Sequence, residues 1–153
     1  VKRVIRALEF FEETKTPISE HNKEQREKES PYNFCYFVLN DDRTHLYERI
    51  NKRVDIMMNE GLLEEVQRLK NMGYHRQMVS MQGLGYKEIL DYLEGNLTLE
   101  EAVYILKRDT RHFAKRQLTW FRRDERINWI YMDENLTEKN IIENCKKYIA
   151  KCF

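Results

Sequence analysis

With 153 residues, 41% apolar and 35% charged side chains and a net charge of +1, the chain reads as a soluble globular domain or one piece of a larger one, neither disordered nor fibrous. So even a balance means that a polyanionic partner has to be argued from where the 27 Lys and Arg stand, not from their number. Cys35, Cys145 and Cys152 are odd in number and far apart, with no CxxC pair, which speaks against a zinc site or disulfide framework and for a reducing cytoplasm; no apolar run approaches the length of a membrane span.

The chain opens inside an amphipathic pattern, Val4, Ile5, Leu8 and Phe11, that runs to Thr14 without a capping residue before it, as in a chain continued from further upstream. Pro17 and the polar run from about 20 to 30 predict an exposed, mobile loop. Residues 32–39 (YNFCYFVL) are almost wholly apolar and aromatic, the pattern of a parallel strand buried on both faces. Asp41, Asp42 and Thr44 offer N-caps for a helix bearing Leu46, Ile50, Val54 and Met57 and ended by Gly61; a second helix, 62–70, stops near Asn71 and Gly73. Gly83-Leu84-Gly85-Tyr86-Lys87 leads into a short helix ending at Gly95. Thr98 and Glu101 form a capping box for a long basic helix, about 99–123. Residues 128–132 (NWIYM) form a second candidate strand, and a last amphipathic helix covers about 138–149. The expected chain is therefore mostly helical, with about two buried-type strands that have no partners of their own, as if half of a parallel α/β sheet were missing.

The basic helix carries the strongest functional signal. At about 100° per residue, Arg108, Arg111, Lys115, Thr119 and Arg122 fall within an arc of about 80°, with Arg116 beside it. Leu106, Phe113, Gln117, Trp120 and Phe121 gather opposite, as a face expected to pack on a core with Gln117 as a buried amide. From Lys107 to Arg126, eight basic residues (107, 108, 111, 115, 116, 122, 123, 126) stand against three acidic ones (109, 124, 125), and acidic partners at i±4 are nearly absent. The stripe reads as a phosphate-contacting surface or as a solvated charged face. The Gly83–Lys87 loop is open in the same way: two glycines permit close backbone approach to a ligand, with Tyr86 as a stacking face and Lys87 as charge, or they only shape a turn. Neither a GxxxxGK[ST] phosphate loop nor a Ser/His/Asp or Cys/His arrangement is present, and His21, His45, His75 and His112 are scattered.

Together, Arg3 to Glu9 (RVIRALE), Arg43 to Arg53 (RTHLYERINKR) with Gly61-Leu62, Gly83 to Lys87 (GLGYK) and Lys115 to Arg122 (KRQLTWFR) resemble the tRNA dimethylallyltransferases, the tRNA isopentenyltransferase family, in order and spacing from residue 1 to about 132. The resemblance implies the C-terminal portion of an α/β enzyme built on a P-loop-type parallel sheet. Such an enzyme transfers a dimethylallyl group from its diphosphate to N6 of the adenosine next to the anticodon, with Mg2+ as cofactor. It implies a cytoplasmic enzyme, monomeric when intact, whose partners are a tRNA anticodon stem-loop and dimethylallyl diphosphate, with no membrane. By this resemblance the tRNA-touching positions are Lys2, Arg3, Val4, Ile5 and Arg6, then Gln82, Gly83, Leu84, Gly85, Tyr86 and Lys87, and then Lys115, Arg116, Gln117, Leu118, Thr119, Trp120, Phe121 and Arg122. Arg49 and Arg53 are candidates for the diphosphate; the catalytic carboxylate, phosphate loop and metal ligands belong to the family's N-terminal half. An RNA-binding module without transferase chemistry is the alternative.

Overall fold

The computed structural model describes residues 1–132 and 137–152, the last two of these without side-chain detail, which leaves the Cys152 thiol outside the described residues. The chain divides into two compact units, Val1–Phe34 and Cys35–Phe153.

In the first unit, α1 (Lys2–Thr14) carries the expected amphipathic pattern and ends where Lys15 turns left-handed at φ 57°, its amide bonding the Phe11 carbonyl. The stretch expected to be a mobile loop is instead largely a helix, α2 (Ile18–Glu27). Its polarity reports exposure, not lack of structure. Pro17 enters at φ −58°, Glu20 and Arg26 complement the dipole at the two ends, and the Phe10 ring lies 5.0 Å from His21. Neither helix buries a residue.

In the second unit, β1 (Tyr36–Asn40) and β2 (Ile127–Tyr131) pair in parallel, from Tyr36 opposite Ile127 to Asn40 opposite Tyr131. The two strands expected to lack partners are each other's partner. Pattern alone could not reveal this, because a parallel pair is joined by a long crossover. β1 is also shorter than the apolar run suggested: Tyr32 and Phe34 stay outside it and exposed, and within it only Val38 is buried.

The crossover supplies the core. α3 (Arg43–Asn59) starts at Asp42, whose carboxylate accepts from the Thr44 amide at 2.8 Å. α4 (Leu62–Asn71), a 3-10 turn (Val79–Gln82), α5 (Tyr86–Leu93) and α6 (Leu99–Phe121) follow, and α7 (Glu138–Cys152) comes after β2. The capping box of α6 forms as its sequence predicts: Glu101 accepts from the Thr98 amide at 2.8 Å and Thr98 from the Glu101 amide at 3.2 Å. α3 and α5 pack on α6, and α4 packs on α5. Val54, Leu62, Val66, Met81, Ile89, Leu90 and Leu106 form the buried cluster between them. Among the described residues no helix is long and apolar enough to cross a membrane.

Candidate nucleic-acid interface

α6 organises the site, but its buried face is not the one a single helical wheel suggests. Ala102, Leu106 and Leu118 are buried and Phe121 is half-buried, whereas Phe113, Gln117 and Trp120 are exposed. The cause is a change of neighbour along the helix. From Leu106 to Leu118 the buried direction turns by about 120°, so the face of Leu106 emerges into solvent by the level of Phe113. Gln117 is thus no buried amide in need of a partner; it lines a cavity, described below.

The cationic stripe also divides. Arg111 donates to Asn51 Oδ1 at 2.6 Å and lies 6.0 Å from the Tyr47 ring, and Lys107 pairs with Asp55 at 2.6 Å; both anchor α6 to α3. Arg108 is bonded to its neighbour Asp109, Nε to Oδ1 at 2.8 Å, which raises the guanidinium pKa and lowers that of the carboxyl. Asn51 and Asp55 are tertiary partners, beyond the i±4 window in which the stripe looks uncompensated. By contrast Lys115, Arg122 and Arg123 are exposed and form no ion pair with a described residue, and Arg116 is exposed with its guanidinium 5.7 Å from the Phe113 ring. Of the positions named from sequence, Thr119 is exposed, its hydroxyl donating to the Lys115 carbonyl at 2.9 Å; Leu118 belongs to the interior.

The Gln82–Lys87 segment sits against the helical core. Gln82 and Gly83 are exposed, Leu84 and Tyr86 pack partly on the buried cluster, and Gly85 is buried. Tyr86 is half-buried and its hydroxyl donates to the Glu65 carboxylate, which raises the phenol pKa. Gly85 needs to be glycine because its φ is +100°; a Cβ there would meet only Leu62 Cδ2, at 3.9 Å. Gly83 lies at φ −64°, where any residue is allowed, and a Cβ would meet only the Ser80 carbonyl, at 3.8 Å. The Gly85 amide donates to Glu88 Oε2 at 2.9 Å, the reason a carboxylate only 2% exposed is tolerated at the start of α5. Lys87 Nζ lies 3.2 Å from the other oxygen of Glu88, without hydrogen-bond alignment, and 3.6 Å from Asp109 Oδ2 on α6.

A cavity of about 750 Å³ opens where both strands end, between α3 and α6, the place where parallel α/β sheets hold ligands. Asn40, Asp41 and Met132 line it from the strand ends, Ile50 and Val54 from α3, and Gln117 and Leu118 from α6. Arg49 and Arg53 border it; Arg49 Nη1 is 3.2 Å from Asp41 Oδ2, and Arg53 Nη1 is 3.9 Å from Glu60. The Asn40 side-chain oxygen is buried with no donor among the described residues. Sequence reading missed Asn40, Asp109 and Arg123; of these only Arg123, beside Arg122 at the end of the stripe, carried a signal in the chain itself. Lys2, Arg3, Val4, Ile5 and Arg6 are all exposed on the first turns of α1, in the other unit. No three His, Cys, Asp or Glu side chains converge as metal ligands among the described residues.

The family model described as IPP transferase matches residues 1–124. The tRNA dimethylallyltransferase of Lachnoclostridium phytofermentans is 56% identical over 151 residues, covering 99% of this chain and 48% of that protein. The tRNA dimethylallyltransferase of Acetivibrio thermocellus is 54% identical over 150 residues, 98% and 48%. Among solved structures, a tRNA isopentenylpyrophosphate transferase from Staphylococcus epidermidis superposes with a TM-score of 0.76 at 39% identity, covering 98% of this chain and 48% of its own. The full-length enzyme of that name from Bacillus halodurans gives 0.76 at 42%, with 99% and 45% covered. The chain spans about half the length of the relatives it matches.

Proposed function

Because the chain belongs to the IPP transferase family, we propose that it forms part of an enzyme that moves a dimethylallyl group from dimethylallyl diphosphate to N6 of the adenosine beside a tRNA anticodon. In that transfer the N6 lone pair forms a bond to the allylic carbon, the carbon–oxygen bond breaks, diphosphate departs with the electron pair, and N6 loses a proton. The sequence carries no GxxxxGK[ST] phosphate loop, and none of its residues is given the role of taking the proton.

What this chain contributes is grip and walls. Lys115, Arg122 and Arg123 are placed to meet the RNA backbone, because cations without internal partners gain most from phosphate. The cavity at the strand ends has apolar walls from Ile50, Val54 and Leu118 for a five-carbon tail, with Arg49 and Arg53 at its border for the diphosphate. The observation that carries the reading is that α6 and its C-terminal end bear Lys115, Arg122 and Arg123, without ion-pair partners among the described residues, while Gln117 and Leu118 of the same helix wall the cavity. An anticodon-loop base flipped from its stack then comes to a cavity beside the groups that hold its backbone. The setting is the cytoplasm, the working form a monomer.

The test uses the full-length protein, an anticodon stem-loop and labelled dimethylallyl diphosphate. Transfer to N6 is expected. Lys115→Ala and Arg122→Ala should each weaken stem-loop binding and reduce the slope of log K against log salt by about 0.7–1, leaving diphosphate affinity unchanged. Equal loss for both ligands, or wild-type protein that binds RNA without transferring the group, overturns the assignment.

A further inference from the structure

We propose that Phe113 and Trp120, with Arg116 between them, form a stacking platform for unpaired bases of the RNA held by α6. The proposal rests on the tRNA reading above and assigns a part of the RNA, the loop bases, to a part of the surface.

Phe113 is 44% and Trp120 61% exposed, although helical pattern alone would bury both. They do not stand at random. At about 100° per residue, Asp109, Phe113, Arg116 and Trp120 fall within an arc of about 60° on α6. Asp109 is the residue that meets Lys87 at 3.6 Å, so the aromatic row continues along α6 from the place where the Gly83–Lys87 segment touches it. Phe113 and Trp120 are separated by a rise of about 10 Å, close to that of three stacked nucleotides at about 3.4 Å each.

The row is built for flat ligands. The Arg116 guanidinium already lies 5.7 Å from the Phe113 ring, a cation–π arrangement, and aromatic rings and guanidinium planes are the two surfaces on which splayed RNA bases stack. The Trp120 ring meets Phe121 edge-on, at 5.2 Å and 77°, and Phe121 in turn meets Tyr36 of β1 edge-on at 6.1 Å. Trp120 thereby rests against a half-buried neighbour while most of its own surface stays open.

Charge favours RNA over a protein occupant. Lys115 stands on the adjoining side of α6 and Arg122 and Arg123 just past its end, none with an ion-pair partner among the described residues. A protein closing over the aromatic row would have to bring an acidic partner for each of those cations. A nucleic-acid loop instead presents bases to the row and phosphates to the cations.

The test is made on the full-length protein with an anticodon stem-loop and, as control, a paired stem of the same length without a loop. Trp120→Leu, which keeps apolar bulk and removes the ring, should weaken stem-loop binding about 5- to 100-fold and leave the salt slope, thermal midpoint, diphosphate affinity and paired-stem affinity unchanged. Trp120→Phe should retain most of the affinity, and Phe113→Leu should repeat the loss on a smaller scale. Stem-loop affinity unchanged in both leucine variants overturns the platform, as does equal loss for stem-loop and paired stem. A fall in thermal midpoint without loss of stem-loop affinity would show that the row packs on protein, and overturns it too. Wild-type protein that fails to bind the stem-loop overturns the tRNA reading, and the platform with it.

Discussion

Lys87 Nζ lies 3.6 Å from Asp109 Oδ2, tying the entry of α5 to the middle of α6. Asp109 also accepts from Arg108, so one carboxylate restrains two cations that a phosphate could otherwise use. Asp109→Asn should therefore raise affinity for the stem-loop a few-fold and steepen its salt dependence by about one unit of slope. Loss of the partly exposed pair should cost less than about 1 kcal/mol of stability. Filter binding at several salt concentrations, read with a denaturation curve, checks both; weaker RNA binding at unchanged stability would mean that Asp109 aims Lys87 rather than restraining it.

The two members of the stripe on successive turns, Arg111 and Lys115, should behave as opposites. Arg111 is engaged by Asn51 and the Tyr47 ring, so Arg111→Ala should lower stability by about 1–2 kcal/mol, leaving the Asn51 oxygen without its charged donor. Lys115 has no such partner, and Lys115→Ala should be neutral in urea denaturation while reducing RNA affinity. Identical stability for both variants would contradict the division of the stripe.

What the chain disclosed on its own was set by local chemistry. Asp42 with Thr44, and Thr98 with Glu101, placed the starts of α3 and α6, because a cap is a contact between near neighbours in sequence. What it concealed was tertiary. The pairing of β1 with β2 depends on a crossover through the helices between them, and the exposure of Phe113 and Trp120 depends on the buried side of α6 turning between Leu106 and Leu118. The contact of the Tyr86 hydroxyl with Glu65, on another helix, is tertiary in the same way. The cationic stripe was legible as a group, but not which members were already engaged, since Asn51 and Asp55 approach from α3.

Asp124 gives a pH signature. The Arg126 guanidinium bonds its carboxylate at 2.8 and 2.7 Å and the Arg126 amide adds a third bond at 3.1 Å, holding the pKa down to about 2 from the usual 3.8. A depressed folded-state value means that the stabilisation is fully present above 3.8 and is lost as pH falls through about 2. In Asp124→Asn the thermal midpoint should decline less between those two values than in wild type. Parallel acid limbs for the two proteins would show that the bonds add nothing in solution.

Gly83 and Gly85 separate conformational need from ligand approach. At φ +100° an alanine is strained, so Gly85→Ala should cost about 1 kcal/mol or more. Gly83 carries no such demand at φ −64°, and a Cβ there meets nothing closer than 3.8 Å. Gly83→Ala should then be neutral or stabilising by about 0.4–1 kcal/mol, through a less flexible unfolded chain. If RNA backbone comes close to this exposed segment, the same methyl will obstruct it, and Gly83→Ala will bind the stem-loop less tightly while denaturing no earlier. A variant that binds like wild type would leave Gly83 without a part in RNA contact and confine the role of the segment to the turn that Gly85 makes.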